Sequence, residues 1–475
     1  MADDPTALLR EQLARLLQAE IVDLLRLSGG ASRETWSFDS LDSSGRRALI
    51  LRRDPPSAAR VGGMPLEARM FDAAAKAGVA VPTIRVSGDA DPELLATGFL
   101  VMDRVDGETI ARKILRDDRY EKARSVLPAQ MGEALARLHA VDPASVEGLE
   151  PSDPLAKYRL MLDDLGYPSP AFELGFRWLV ANRPAARPTC IVHGDFRLGN
   201  VIVDESGLAA VLDWELAHLG DPMEDLAWLC VRAWRFGGAG PVAGLGSYEQ
   251  LFRAYESAGG TEVDPVVVRW WETLGTLMWG VMCALQASAH INGAIRSVEL
   301  AAIGRRVVEQ EHDLLDLLGV PRCDVPTMPT TPARLPIGAP PLRLPGAGEP
   351  LAVAALPSDT FGVLGAPTAA GLVEALREFL ERDVMTSTTG RVQFHARVAI
   401  NVVAMLEREL ALAPHIIRVH TEGLASLGVA DEAELARAIR TGMLDDRSDA
   451  VRSFVRETVT ARLAVANPKH LAAPG

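Results

Sequence analysis

The run Ile191-Val-His-Gly-Asp-Phe-Arg-Leu-Gly-Asn200, with Leu212-Asp-Trp-Glu215 after it, constrains this chain more than any other stretch. Val201-Ile-Val203 is apolar and β-branched, Asp204-Glu-Ser-Gly207 has turn chemistry, and Leu208 to Leu212 is apolar again. That is the pattern of a hairpin. Folding it around 205–207 pairs Val201 near Val211 and brings Asn200 close to Asp213. Cross-strand neighbours sit roughly 4.5–5.5 Å apart, so an amide oxygen and a carboxylate can reach one cation. Hard oxygen ligands suit magnesium, which keeps water and phosphate in its other positions. A phosphoryl-transfer loop needs those two ligands and, shortly upstream, a carboxylate that takes a hydroxyl proton. Asp195 stands in that place. An ordinary hairpin with polar turn flanks is the simpler account, but it does not require base, amide and carboxylate to fall in register.

The remaining bulk properties exclude more than they assign. A length of 475 residues suits two or three domains, and 48% apolar content excludes wholesale disorder. A formal charge of −14 argues against nucleic acid or an anionic membrane as partner. Cys190, Cys230, Cys283 and Cys323 show no C-x-x-C spacing, so reduced thiols are expected, and neither a disulfide framework nor a zinc site. Met1-Ala-Asp-Asp-Pro5 lacks a basic n-region, and Leu274 to Leu285 falls short of the about 20 residues that cross a bilayer. A cytoplasmic chain is expected.

Residues 6–26 have helical periodicity, with Leu9, Leu13, Leu16, Leu17, Leu24 and Leu25 between charges. Glycine, serine and alternating apolar residues from Leu27 to Leu51 predict strands and a turn. A helix over Pro65–Gly78 and strands at Ile84–Val86 and Gly98–Met102 complete a small lobe. After Gly107 the chain is mainly helical around the hairpin. Prolines crowd 320–358, a semi-extended linker. Helices are predicted beyond it at Ala369–Arg382, Val392–Ala411, Ala433–Thr441 and Asp449–Ala466. The expected organisation is a nucleotide-binding lobe over 1–103, a helical lobe with the hairpin over 104–320, a linker over 321–358 and a separate all-helical domain over 359–475.

His193-Gly-Asp-x-x-x-x-Asn200, Asp213-Trp-Glu215, Gly220-Asp-Pro222 and Asp225-Leu-Ala227 together resemble the aminoglycoside phosphotransferase family of kinase-like enzymes, and within it the kinase-like domains associated with acyl-CoA dehydrogenases. The resemblance covers roughly the first two thirds of the chain. It implies an α+β, two-lobed protein-kinase-like fold, here followed by the all-α domain. It implies ATP or GTP and Mg2+ as cofactors, and a small-molecule hydroxyl as acceptor. Leu27-Ser-Gly-Gly-Ala-Ser-Arg33 can bring backbone N–H groups to phosphate and matches the family's loop, which makes Ser28, Gly29, Gly30 and Ser32 nucleotide contacts. The family pattern puts a phosphate-gripping cation at Arg52 with Glu67 as its partner, where lysine is usual, and Arg53 is the competing choice for that cation. It puts Asp103 and Val105 at the connector that offers backbone groups to adenine. Arg197 sits where protein kinases often carry a lysine facing the transferred phosphoryl; a structural salt bridge is its bland alternative. His193 is expected to brace the loop, and Asp225 to anchor it.

Trp228, Trp234, Trp270, Trp271 and Trp279 read as core or as the wall of an apolar acceptor pocket. Phe236-Gly-Gly-Ala-Gly-Pro-Val-Ala-Gly-Leu-Gly-Ser247 reads as a mobile loop, either a substrate lid or a tolerated insertion. The resemblance favours a hydroxyacyl-CoA acceptor. An antibiotic or amino-alcohol kinase and a non-catalytic nucleotide-binding scaffold are the alternatives. A homodimer or an acyl-CoA-metabolising enzyme is the expected protein partner.

Overall fold

Trp36 and Phe38 on one strand and Leu49 and Leu51 on the next alternate with less buried neighbours, and this period of two builds an N-terminal sheet. The computed structural model describes residues 5–27, 33–55, 63–89, 95–325 and 368–472. Five antiparallel strands lie in the order β1-β2-β3-β5-β4: β1 is Glu20–Arg26, β2 Glu34–Asp42, β3 Gly45–Arg53, β4 Ile84–Gly88 and β5 Phe99–Asp103. Leu9 and Leu13 of helix Pro5–Leu17 share a core with Ile21, Trp36, Phe38, Leu49, Leu51, Phe99 and Val101. Helix Gly63–Lys76 buries Met64, Met70 and Phe71 in the larger core that also holds Leu100 and Met102.

The helical periodicity over 6–26 overreaches. The helix stops at Leu17, Gln18 takes φ +51°, and Glu20–Arg26 pairs with β2 as a strand. A tertiary partner here overrides local propensity.

Beyond β5 the chain turns at Gly107 (φ +151°), where a Cβ would collide with Ile202 and with the carbonyl of Val203. That close approach lets Glu108 N–H donate to Val203 O (2.9 Å) and Val203 N–H donate to Glu108 O (3.0 Å). The connector is thereby fastened to the hairpin. Strands β6 (Cys190–Val192) and β9 (His218–Gly220) pair antiparallel, and β7 (Val201–Asp204) and β8 (Gly207–Val211) form the hairpin itself.

Contacts divide the chain into two compact units, one of residues 1–160 and 178–278, the other of 161–177 and 279–475. The proline run at 320–358 suggests a division at its own ends; of it, residues 326–358 lie outside the described residues. Within the second unit Ala171, Val308 and Leu315 share one core with Leu424, Leu435, Val455, Val459 and Leu463. Arg440 reaches Glu173 (2.7 Å) and Asp163 (2.8 Å), and Ser169 donates to Glu311 (2.6 Å). The C-terminal region is helical as expected, though helix Gly390–Leu427 runs well past the predicted end and stops on Gly428 at φ +78°.

The apolar stretch at 274–285 lies within a helix, in keeping with its reading as a buried one. Pro265–Ile291 has 27 residues and is long and apolar enough, by composition, to cross a membrane. Half of its most apolar window is buried inside the molecule, and Glu272 within it pairs with Arg235 and Tyr248. Both observations fit a core helix. All four cysteines are free, and burial pushes the thiols of Cys190, Cys230 and Cys283 upward, away from reactivity.

Candidate active site

Val201 pairs with Val211, the register read from the turn, and Leu212 N–H donates to Asn200 O at 2.9 Å. The hairpin thus delivers Asn200 beside the segment that carries Asp213. Asn200 Nδ2 donates to Asp195 Oδ2 (2.6 Å) and to Asp195 O (3.0 Å). With its nitrogen committed there, the amide of Asn200 has its oxygen as the end available to a cation. Asp213 adopts φ +66°, a left-handed conformation that costs a non-glycine residue on the order of 1–3 kcal/mol unless its surroundings impose it. Asp tolerates this region better than most residues.

The catalytic loop is held from beneath. Asp225, fully buried, accepts from His193 N–H (2.8 Å) and Gly194 N–H (3.0 Å), and meets His139 Nε2 at 3.2 Å. Burial pushes its carboxyl up, but the His139 bond and the nearby His193 hold it below the usual range. His193 Nδ1 accepts from Asp195 N–H (3.2 Å), so its Nε2–H is the donor to Leu212 O (2.9 Å). His193 is occupied at both nitrogens and ties the loop to the residue before Asp213. Gly194 (φ +79°) has no room for a Cβ against Leu216 O.

A buried charge cluster faces these residues. Arg52 donates to Glu67 Oε1 (2.5 Å) through one terminal nitrogen and to Asp213 Oδ1 (2.7 Å) through the other. Arg33 pairs with Glu67, with Asp54 Oδ1 (3.3 Å) and with Glu215 Oε2 (3.5 Å). Among the described residues, Arg52 and Arg33 thus tie Glu67, Asp54, Asp213 and Glu215 into one charge network. Burial raises the Asp213 carboxyl, yet Arg52 brings it below its usual value. Burial and the adjacent Asp213 push Glu215 up. The donor set is all oxygen, which fits magnesium.

On the other side of Asp195 stands an aromatic wall. Trp228 Nε1–H donates to Asp195 Oδ1 (2.8 Å), and so does Arg197 Nε–H (2.9 Å). The Arg197 guanidinium lies 4.6 Å from the centre of the Trp234 ring, a cation–π contact. Trp234 meets Trp228 at 5.4 Å and Phe236 at 6.5 Å. Arg197 is thus in the salt bridge that was its bland alternative, and that bridge is to Asp195 itself.

The glycine-rich loop is pinned, contrary to its reading as mobile. Val242 and Ala243 are fully buried, Ala243 N–H donates to Leu229 O (3.0 Å), and Gly240 and Val242 bridge to Gly244 and Gly246. Its glycines serve backbone crowding: a Cβ on Gly244 would strike Arg235 O, and one on Gly238 would strike Gly244.

The fold brings together Asp195, Arg197, Asn200, Asp213, Arg52 and Glu67 from segments far apart in sequence. Asp103 ends β5, its carboxylate held by Arg85 Nε (2.7 Å), and half-buried Val105 follows it. Ser28, Gly29, Gly30 and Ser32 lie outside the described residues. Arg33, Asp54 and His139 carry no local signal because their partners are long-range, and Glu215 stands in the Asp213-Trp-Glu215 motif without a role that spacing could give it. Only the position of Arg33, directly after the glycine-serine loop, could have drawn notice.

Residues 23–265 match a family described as the phosphotransferase enzyme family, and residues 386–470 match a domain of unknown function. Acyl-CoA dehydrogenase family member 10 of Mus musculus is 29% identical over 260 residues, which is 49% of this chain and 23% of that protein. Acyl-CoA dehydrogenase family member 11 of Homo sapiens is 29% identical over 196 residues, 38% of this chain and 25% of that protein. The chain thus matches about a quarter of the length of these relatives. A Ralstonia eutropha protein assigned as an aminoglycoside phosphotransferase superposes with a TM-score of 0.52 at 21% identity, over 63% of this chain and 95% of its own. At that identity the likeness carries the fold alone.

Proposed function

Because the chain belongs to the phosphotransferase enzyme family, whose model spans residues 23–265, we propose that this small-molecule phosphotransferase moves the γ-phosphoryl of ATP or GTP to the hydroxyl of a hydroxyacyl-CoA. The observation that carries the chemistry is that Asn200 donates to Asp195 Oδ2 while its backbone carbonyl accepts from Leu212 N–H, next to Asp213. Asp195 accepts the hydroxyl proton. Asn200 and Asp213 would hold magnesium, which supplies charge neutralisation on the nucleotide phosphates. Arg52, fixed by Glu67, grips phosphate beside them. Loose phosphoryl-transfer transition states need position and charge above all, and the buried cluster provides both before substrate arrives.

The acceptor class rests on the relatives, which are named acyl-CoA dehydrogenases and carry a segment like this one in a longer chain. The apolar wall of Trp228, Trp234 and Phe236 beside Asp195 suits an acyl chain better than a polycation. The test is a mass-spectrometric product screen with Mg–ATP and Mg–GTP against 3- and 4-hydroxyacyl-CoA thioesters, kanamycin-like amines and amino alcohols. A phosphorylated acyl-CoA is the expected product. Efficient phosphorylation of an amine antibiotic with none of the thioesters would overturn the acceptor. The helices beyond residue 368 carry none of these groups, and we assign them to self-association or to docking of an acyl-CoA-metabolising partner.

A further inference from the structure

We propose that Trp228 is a positioning residue for Asp195 and that it makes Oδ2, not Oδ1, the oxygen that receives the acceptor's proton. This rests on Asp195 as the proton acceptor and goes beyond it by assigning the oxygen and the group that selects it.

A carboxylate offers about four lone-pair sites, two on each oxygen. Trp228 Nε1–H and Arg197 Nε–H both donate to Oδ1, at 2.8 and 2.9 Å, so that oxygen is filled. Asn200 Nδ2 takes one site on Oδ2, at 2.6 Å. One site on Oδ2 is left for an incoming hydroxyl. The indole is not placed there by chance packing alone. Trp228 is 8% exposed, lies against Trp234, and has its ring seated over Gly275, where a Cβ would come within 3.1 Å of the indole carbon Cε3. Its one polar atom is spent on Asp195. In the step itself the acceptor O–H breaks and its proton passes to Asp195 Oδ2. The acceptor oxygen bonds phosphorus, and the P–O bond to the nucleoside diphosphate breaks with its electron pair leaving on the diphosphate.

The discriminating experiment sets hydrogen bonding against packing. Trp228→Phe keeps an aromatic ring but donates nothing; Trp228→His and Trp228→Gln pack less well but carry an N–H. Hydrolysis of Mg–ATP to ADP, with water as the hydroxyl, is measured on the full chain together with ATP affinity and Tm. A positioning role predicts a fall in kcat of about tenfold or more for Trp228→Phe with ATP affinity within twofold, partial recovery in the His or Gln variant, and a Tm order with Phe highest among the three. If activity instead follows Tm, with Phe the most active variant, Trp228 is packing only and the proposal fails. A second readout needs no turnover. Among the indole N–H resonances of 15N-tryptophan-labelled protein, the one missing in Trp228→Phe should move in Asp195→Asn; if it stays in place, the contact is refuted. Should Asp195→Asn hydrolyse ATP at the wild-type rate while that resonance still moves, the contact stands and the reading of Asp195 as base is what falls.

Discussion

Both units bury arginine against carboxylates, and the cluster in the first is the one that carries the candidate active site. In the first unit Arg52 and Arg33 meet Glu67, Asp54, Asp213 and Glu215. In the second, Arg456, with a side chain 1% exposed, donates to Asp316 Oδ1 (2.9 Å) and Val320 O (2.8 Å), while Arg322 reaches Asp316 Oδ2 (2.6 Å) and His470 Nε2 meets Asp313 Oδ1 (2.7 Å). His312, Asp313 and His470 even bring ligand-type atoms within 4.8 Å of one another. Both clusters set arginine against carboxylate in partly or fully buried surroundings. The backbone differs. Arg456, His312, Asp313 and Asp316 sit on helices Ser448–Ala466 and Val307–Leu317, where regular geometry fixes each side chain by packing. Asp213 and Gly194 sit in left-handed conformations between short strands, where the backbone is bent to aim groups at one point. Buried ion pairs by themselves do not mark function; carboxylates held on strained loops around one point are the better sign.

That contrast breaks first at Asp195. Asp195→Asn should lower turnover by on the order of 10²–10⁴ while leaving nucleotide affinity nearly intact, the range for a positioned proton acceptor. Steady-state kinetics and calorimetry with Mg–ATP check it; unchanged turnover removes Asp195 from that role. The opposite signature belongs to Arg456. Replacing it by methionine strips a donor from Asp316, which keeps Arg322, and from two backbone carbonyls, and buried acceptors left unsatisfied cost about 1–3 kcal/mol. Urea denaturation should show that loss, with ATP affinity of the molecules that remain folded unaltered. A stable Arg456→Met protein with impaired nucleotide binding would erase the distinction.

Asp213→Ala should weaken Mg–ATP binding on the order of a hundredfold, and Arg52→Ala on the order of tenfold. On the proposed reading the carboxylate is the charged ligand of a metal that bridges phosphate oxygens, whereas the arginine shares phosphate with backbone N–H groups. Titrations with and without magnesium separate the two; equal losses would contradict the assignment.

The last effect is on stability and concerns β9. Burial alone would depress His218, but the bond to Glu224 (3.2 Å) outweighs it and lifts the imidazole to about 8. Glu224, fully buried, is itself raised by burial. Both groups hold protons more tightly folded than unfolded, so stability must fall as pH rises. The His218 contribution is complete below about pH 6.5 and fades through pH 8; at 1.36 kcal/mol per unit this is about 2 kcal/mol. Urea midpoints at pH 6 and 9 should show the drop in wild type and a flatter response in His218→Gln.

Much of the site was legible because its residues are close in sequence. Asp195, Asn200 and Asp213 are joined by one hairpin whose register the turn at 204–207 dictates, so local rules reached them. Arg33 and Asp54 are not legible as parts of a site, and the partners of Glu215 and Trp228 are not legible either, because folding alone brings each pair together. The helix at 6–17 and strand at 20–26 were run together because leucines at 9, 13, 16, 17, 24 and 25 satisfy a helical period across a break that β-pairing alone imposes.

The sequence by itself determined the hairpin, the candidate proton acceptor, the two candidate oxygen ligands and the helical character of the C-terminal region, since each follows from short-range periodicity and turn chemistry. Tertiary structure decided that Arg52 spans Glu67 and Asp213, that the glycine-rich loop is locked, that an indole holds Asp195, and that residues 161–177 and 279–320 share a core with the C-terminal helices. The reason is physical. Hydrogen bonds and core contacts between distant segments depend on where the chain returns in space, and no local pattern of residue types encodes that return.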